Sequence, residues 1–215
     1  TYTAADPAGN VSREATVTVQ ILKPSDAQCY ADTESLSCRF EAEWLGNTGL
    51  FEGERVNSQL CFQPDKAVSR GEFLAMMVKV LDIPTNEEVA AGIPEDTPGW
   101  LRPYLAAAIR SGLTAQLPDT DADAWASDAI TGAEAAVMLQ NALDLSVSQQ
   151  VLETAATQEE DVPVWAASSL TVLQENGIDL SAVSVMTRAE AAQVLYEASL
   201  LALEAPGPMV FRMQE

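Results

Sequence analysis

The feature that most limits what this chain can fold into is a helix start written three times. Ser69-Arg70-Gly71-Glu72, Thr131-Gly132-Ala133-Glu134 and Thr187-Arg188-Ala189-Glu190 each place a hydroxyl three residues ahead of a glutamate. This is the capping box: the hydroxyl accepts the N3 amide proton, and the glutamate reaches back to the N-cap amide. Strongly apolar stripes follow. Phe73, Met76, Met77, Val80 and Leu81 fall at helical spacing; Ala135, Met138, Leu139, Ala142 and Leu143 repeat it, as do Ala191, Val194, Leu195, Ala198 and Ser199. The spacing predicts helices over residues 72–81, 134–145 and 190–203. None can bury its stripe alone, so the three should pack on one another around a common axis.

A second repeated phrase precedes each of these helices. Tyr30-Ala31-Asp32, Pro94-Glu95-Asp96 and Glu159-Glu160-Asp161 put aspartates 64 and 65 residues apart. After each comes a short amphipathic run closed by glycine, at 40–49, 100–112 and 165–177, with the glycine where a left-handed C-cap is expected. Trp100, Tyr104, Leu105, Ala108 and Ile109 make one apolar face, and Trp165, Leu170 and Leu173 another, which places both tryptophans in the core. The text therefore reads as helix–loop–helix units at 30–84, 94–147 and 159–203. Residues 1–22 differ. Ala15 to Ile21 alternates β-branched and polar residues, and Asp6-Pro7-Ala8-Gly9-Asn10 is turn chemistry, so a β-hairpin belonging to a larger sheet is expected there. Residues 23–29 read as a linker and 204–215 as a tail. The chain opens on Thr1 without a start methionine, as a piece of a longer protein would.

Thirty-two acids against eleven lysines and arginines give a net charge of −21. So acidic a chain lacks the basic face that nucleic acid or an anionic membrane requires, and no run of about 18 apolar residues could span a bilayer. The absence of histidine excludes Ser-His-Asp and Cys-His nucleophile sets and argues against a metal cluster. Asp119-Thr120-Asp121-Ala122-Asp123 imitates the start of a calcium loop. Ala124 and Ile130 stand where that loop needs glycine and a bidentate glutamate, so it reads as a solvated acidic turn. Cys29, Cys38 and Cys61 lie within 33 residues. They form either one disulfide and one spare thiol, in an oxidising compartment, or three separate thiols. Cys38–Cys61 is the first choice of pairing, because it ties the first helix to the loop beside Phe62, and Cys29–Cys61 the second.

Asp-x-x-x-Trp at the unit start, glycine after the first helix and Thr-Arg-Ala-Glu opening the second together resemble S-layer homology repeats, over residues 30–203. Thr187-Arg188-Ala189-Glu190 matches that motif outright and Ser69-Arg70-Gly71-Glu72 conservatively. Phe62-Gln63-Pro64-Asp65 matches the family's Phe-x-Pro-Asp approach, and Trp125-Ala126-Ser127-Asp128 is a looser copy. Residues 2–21 are similar to the last two strands of the immunoglobulin-like modules strung along bacterial surface proteins. The resemblance implies a mainly α, pseudo-threefold bundle with a central three-helix core, preceded by the end of an immunoglobulin-like domain. It implies a secreted, wall-bound or S-layer location and non-covalent binding of secondary cell-wall polysaccharide, often bearing pyruvyl-ketal groups, in grooves between repeats. Neither catalysis nor a cofactor is implied.

Arginine at N1 is where the chemistry is sharpest. A cation there is mildly unfavourable, by about 0.3–1 kcal/mol, because it faces the positive end of the helix dipole. Arg70 and Arg188 both occupy that position. They make sense if a carboxylate docks on the guanidinium and the helix end together, or if each pairs with a nearby acid such as Asp65 or a loop aspartate. The expected ligand set is Ser69, Arg70, Thr187 and Arg188, with Trp125, in a polar loop, as a sugar platform. On this reading, loss of Arg188 weakens binding and leaves folding nearly intact. Gly132 replaces the arginine in the middle repeat, so that groove is expected to be weak; arginine placed there adds affinity if the groove keeps its shape. The third repeat is short, with 11 residues from Gly177 to Arg188 against 21 from Gly49 to Arg70. A trimer that has lost a cation and a loop could instead serve as a protein–protein docking module.

Overall fold

The computed structural model describes residues 8, 10–12, 29–47, 49, 51–85, 92–95, 97–118, 125–157 and 161–204. Apart from Ala8 and residues 10–12, the expected hairpin within 1–22 lies outside these residues. So do residues 23–28 of the linker, the calcium-like run at 119–123 and the tail beyond 204. Among the described residues the order is α1 (Arg39–Asn47), β1 (Glu54–Val56), β2 (Gln59–Cys61), α2 (Arg70–Val80), α3 (Arg102–Arg110), α4 (Gly132–Ala142), α5 (Gln149–Ala155), α6 (Val164–Glu175) and α7 (Arg188–Glu204), with a 3-10 turn at Trp125–Ser127. The fold is mainly α. Its one described hairpin, β1–β2, closes through Asn57 and Ser58, both at positive φ, the geometry of a tight two-residue turn.

All three capping boxes form. Ser69 and Thr131 accept from the amides of Glu72 and Glu134 while those glutamates accept from the N-cap amides. Thr187 and Glu190 do the same at 3.3 and 2.7 Å. The first helices end as expected: Gly112 and Gly177 take positive φ, so that Leu113 and Ile178 can donate back to Ala108 and Leu173. The second helices α2 and α4 close in the same way with an aspartate instead, Asp82 and Asp144.

The approaches to α2, α4 and α7 are stitched into a ring. Val68 donates its amide proton to Met186, Met186 to Ile130 and Ile130 to Val68, at 3.0, 2.9 and 3.0 Å. One residue from each unit thus closes a threefold cycle of backbone hydrogen bonds, and Val68, Ile130 and Met186 are all buried. A second cycle lies just outside it: the N1 amides of Arg70, Gly132 and Arg188 donate to the carbonyls of Asp128, Ser184 and Lys66. Below the ring α2 packs on both α4 and α7. The far ends of all three helices surround one apolar hollow of about 510 Å³, lined by Leu81, Leu143, Leu145 and Leu201 among others.

The first helices do not lie on the second helix of their own unit. They pack on that of the unit before it, in a circle: α3 on α2, α6 on α4 and α1 on α7. Phe40 and Trp44 of α1 meet Tyr196 of α7 edge-on, with centroids 5.2 and 5.3 Å apart. Chain order would suggest a local pairing; the interlock makes one core, and buried side chains of all three units form one cluster. Ala135, Ala136, Ala191, Ala192 and Ala198 are wholly or almost wholly buried. Small side chains let α4 and α7 approach their neighbours closely at these positions.

A groove between the first loop and the third helix

The loop of the first unit is built on Asp32. Its two carboxylate oxygens accept the amide protons of Phe62 and Gln63 at 2.8 and 2.7 Å, which fixes where the chain re-enters after the hairpin. Tyr30, Phe51 and Phe62 then stack as a tilted trio, with centroids 5.1–6.3 Å apart. The Tyr30 hydroxyl donates to the Phe51 carbonyl, and burial pushes its pKa up to about 12. Arg188, from the third unit, lies against the Phe51 ring at 4.7 Å. It donates to the Phe62 carbonyl at 3.0 Å, to Gln63 Oε1 at 3.4 Å and to Glu54 Oε1 at 2.7 Å. Lys66 Nζ shares the same Glu54 oxygen at 2.6 Å. The hydrogen bonds from Lys66 and Arg188 hold the Glu54 carboxyl down to about 2.

This loop forms one wall of a groove of about 580 Å³. Glu72, Ala75, Met76 and Lys79 of α2 line it, together with Glu52 of the loop and with Trp100 and Tyr104 at α3. Arg188 of the third unit lines it too. Lys79 Nζ sits 5.6 Å from the Tyr104 ring, and Trp100 is 54% exposed. An exposed aromatic ring beside two cations, of which Arg188 is held by hydrogen bonds, suits a ligand with an apolar C–H face and an anionic substituent, the description of an acidic sugar.

The residues expected to bind ligand divide between two places. Arg188 lines the groove, although it is only 6% exposed. Arg70 does not reach an open surface of this kind. Its Nε donates to Glu134 at 2.8 Å, its Nη1 to Asp128 and to the Trp125 carbonyl, and its guanidinium lies 5.9 Å from the Trp125 ring. Trp125 corrects the expectation of an exposed platform: it is 7% exposed, packed beneath Arg70 and against the core. Trp165 is half-buried against the core. The Ser69 and Thr187 hydroxyls serve their caps, and the N1 amides are spent on the outer ring of hydrogen bonds. The free helix N–H groups that would have helped to bind an anion are therefore already engaged at N1.

Trp100 is the residue that the sequence reading misplaced. A helix beginning at Trp100 would turn its ring to the core. Pro103 instead stands in the first turn of α3, which begins at Arg102 and leaves Trp100 outside the helix. Proline's preference for the first helical turn was the available signal. Lys79, Tyr104, Phe51 and Glu54 carried none beyond ordinary helix and loop chemistry.

The third unit's short loop leaves little space. The hollow beside Gly132, lined by Asp179, Ser181, Glu190 and Gln193 among others, is about 70 Å³, too small for a sugar ring. Nor can Gly132 be the site of an added arginine: a Cβ there would strike the Ser181 carbonyl oxygen. Neither disulfide choice is formed, and all three cysteines are free thiols. Cys38 is buried at the entrance to α1, its pKa raised by that burial, whereas Cys61 ends β2 with its thiol towards the Gln59 carbonyl, and Cys29 is exposed.

No family model matches the chain. It is similar to an S-layer protein of Bacillus thuringiensis subsp. finitimus, 25% identical over 148 residues, and to the S-layer protein sap of Bacillus anthracis, 25% identical over 160 residues. These alignments take in 65% and 71% of this chain. They span only 18% and 19% of those proteins, so the chain corresponds to about a fifth of each. Among the described residues, no helix is long and apolar enough to cross a membrane.

Proposed function

We propose that this chain is a non-catalytic anchor, built of three S-layer homology repeats. On this reading it holds a secreted surface protein to the bacterial cell wall by binding secondary cell-wall polysaccharide, pyruvylated or otherwise acidic. Immunoglobulin-like modules precede it in the same protein. The observation that carries the proposal is the groove of about 580 Å³ lined in common by an exposed Trp100 and by the Lys79 and Arg188 cations. The likeness to two S-layer proteins supports a cell-surface setting. Binding engages this first groove far more than the 70 Å³ hollow beside Gly132.

Trp100 supplies the test. Wall polysaccharide released in soluble form and titrated into the protein quenches or shifts tryptophan emission. Trp100→Ala lowers its affinity by about 2 kcal/mol, roughly thirtyfold, as truncating a central aromatic anchor does. Trp165→Ala, at a residue that does not line the groove, leaves affinity near that of the parent. Equal affinity of the parent and Trp100→Ala removes the groove from the account.

The internal pairing of both arginines favours a second reading, a degenerate trimer that serves as a protein-docking module. It predicts no polysaccharide binding in the same titration.

A further inference from the structure

The two ends of the central bundle are finished differently. At one end the ring of hydrogen bonds through Val68, Ile130 and Met186 crosses the core. At the other, α2 and α4 stop on the same device: Leu81-Asp82-Ile83 and Leu143-Asp144-Leu145 each reverse the chain through an aspartate at positive φ. Ile83 and Leu145 then donate to the Val78 and Gln140 carbonyls and pack back against the core. The third helix does not reverse at the matching positions. At the same distances from N1, Ser199, Leu200 and Leu201 still lie inside α7, which runs for 17 residues against 11 in α2 and 11 in α4. Among the described residues, one of the three apolar plugs that the threefold pattern calls for is therefore missing, and the hollow of about 510 Å³ lies at this end. Leu81, Leu143, Leu145 and Leu201 line it, packed on the core but only partly buried.

The sequence beyond α7 supplies what is missing. Pro206 and Pro208 cannot continue a helix, and with Gly207 between them they favour a turn. After them Met209, Phe211 and Met213 alternate with Val210, Arg212 and Gln214, so an extended run carries one face of methionine, phenylalanine and methionine. We propose that residues 209–213 dock across the foot of the bundle and fill the hollow, standing for the third unit where Ile83 and Leu145 stand for the first two. The tether fits. α7 ends at Glu204, two residues past Ala202 of the hollow's lining, and the seven residues on to Phe211 reach at most about 25 Å. Methionine, unbranched and flexible, suits an irregular apolar gap. The charges match as well. Asp144 lines the hollow, is exposed and stands in no ion pair among the described residues, and Arg212 is the segment's cation. A second copy of the chain is a poorer occupant, because two molecules of net charge −21 would have to meet, whereas the attached segment is present at high effective concentration.

Photocrosslinking of the full chain in dilute solution is the test. With p-benzoylphenylalanine in place of Phe211, irradiation is expected to attach that side chain, within the same molecule, to Leu81, to residues 143–145 or to Leu201. In a second measurement Phe211→Ala lowers the melting temperature by about 5 °C, since truncating an apolar plug at the edge of a core costs less than at its centre. Gln214→Ala, on the other face of the segment, leaves it unchanged. Cross-links confined to other surfaces, cross-links between chains, or none at all overturn the docking, and so does a Phe211→Ala protein that melts with the parent. Neither readout involves a wall ligand, so the result is independent of what the groove binds.

Discussion

Glu134→Ala lowers the stability of the protein by about 3 kcal/mol, the lower end of what breaking a buried ion pair costs. That moves the melting temperature down on the order of 10 °C in a chain of this size. The reason is that one carboxylate does two jobs. Oε2 accepts the Thr131 amide and closes the capping box of α4, while Oε1 holds Arg70 of the preceding unit at 2.8 Å. Removing it opens the cap and strands a guanidinium whose side chain is only 18% exposed, with Asp128, at 3.3 Å and largely in solvent, as its remaining acid. Glu190 is the control. It occupies the same position in α7 and closes the same box, yet stands in no ion pair among the described residues and is exposed. Glu190→Ala therefore costs no more than about 1 kcal/mol, the worth of an exposed capping bond. Thermal melts of the two variants that differ by less than experimental error contradict the coupling between units.

Gly132→Ala has an effect of similar size from a single methyl group. The Cβ would meet the Ser181 carbonyl oxygen, with the carbonyl carbon 2.9 Å away, and these are backbone atoms that no rotamer change can move. Ser181 belongs to the segment whose Ala182 and Ser184 carbonyls accept from Ala133 and Gly132, so the two chains are already drawn together by hydrogen bonds. Overpacking of this kind costs about 1–3 kcal/mol and sometimes more; the upper end is expected, because yielding would break the outer ring. The other two helices carry arginine at the equivalent position. Substitution to alanine at a glycine inside a helix ordinarily stabilises by about 1 kcal/mol, so the sign alone is diagnostic: a Gly132→Ala variant that melts at or above the parent temperature contradicts this packing.

Much of the fold is written locally. The capping boxes and the apolar stripes behind them set the starts of α2, α4 and α7 and their common core, because N-cap chemistry and helical spacing act within one turn of chain. The terminating glycines were legible for the same reason. Which first helix lies on which second helix was not. The stripes on α1, α3 and α6 say only that each has an apolar face, and the circular exchange of partners is fixed by long-range pairings such as Phe40 and Trp44 with Tyr196. Asn57-Ser58 could have announced the β1–β2 hairpin, but strands of three residues leave almost no alternation to read.

The candidate site was less legible. Arginine at N1 pointed to a ligand carboxylate or to a nearby acid such as Asp65 or a loop aspartate, and the carboxylates beside the two arginines are Glu134 and Asp128 for Arg70 and Glu54 for Arg188. Glu134 was visible as a cap; nothing in the sequence assigns its second oxygen to another unit. Arg188 was expected to be dispensable for folding, but a guanidinium bound to the Phe62 carbonyl and packed on Phe51 is part of the loop's support. The tryptophans exchanged places for local reasons. With Pro103 in its first turn α3 starts at Arg102, two residues later than expected, and Trp100 stays exposed, while the 3-10 turn at Trp125–Ser127 packs on α2 and Trp125 is buried.

The most direct measurement of the proposed role is co-sedimentation of the chain with purified bacterial sacculi, before and after the wall polysaccharide is stripped by acid. A wall anchor sediments with the intact sacculi and stays in the supernatant once the polysaccharide is gone. Equal recovery on both preparations, or none on the intact wall, contradicts the account.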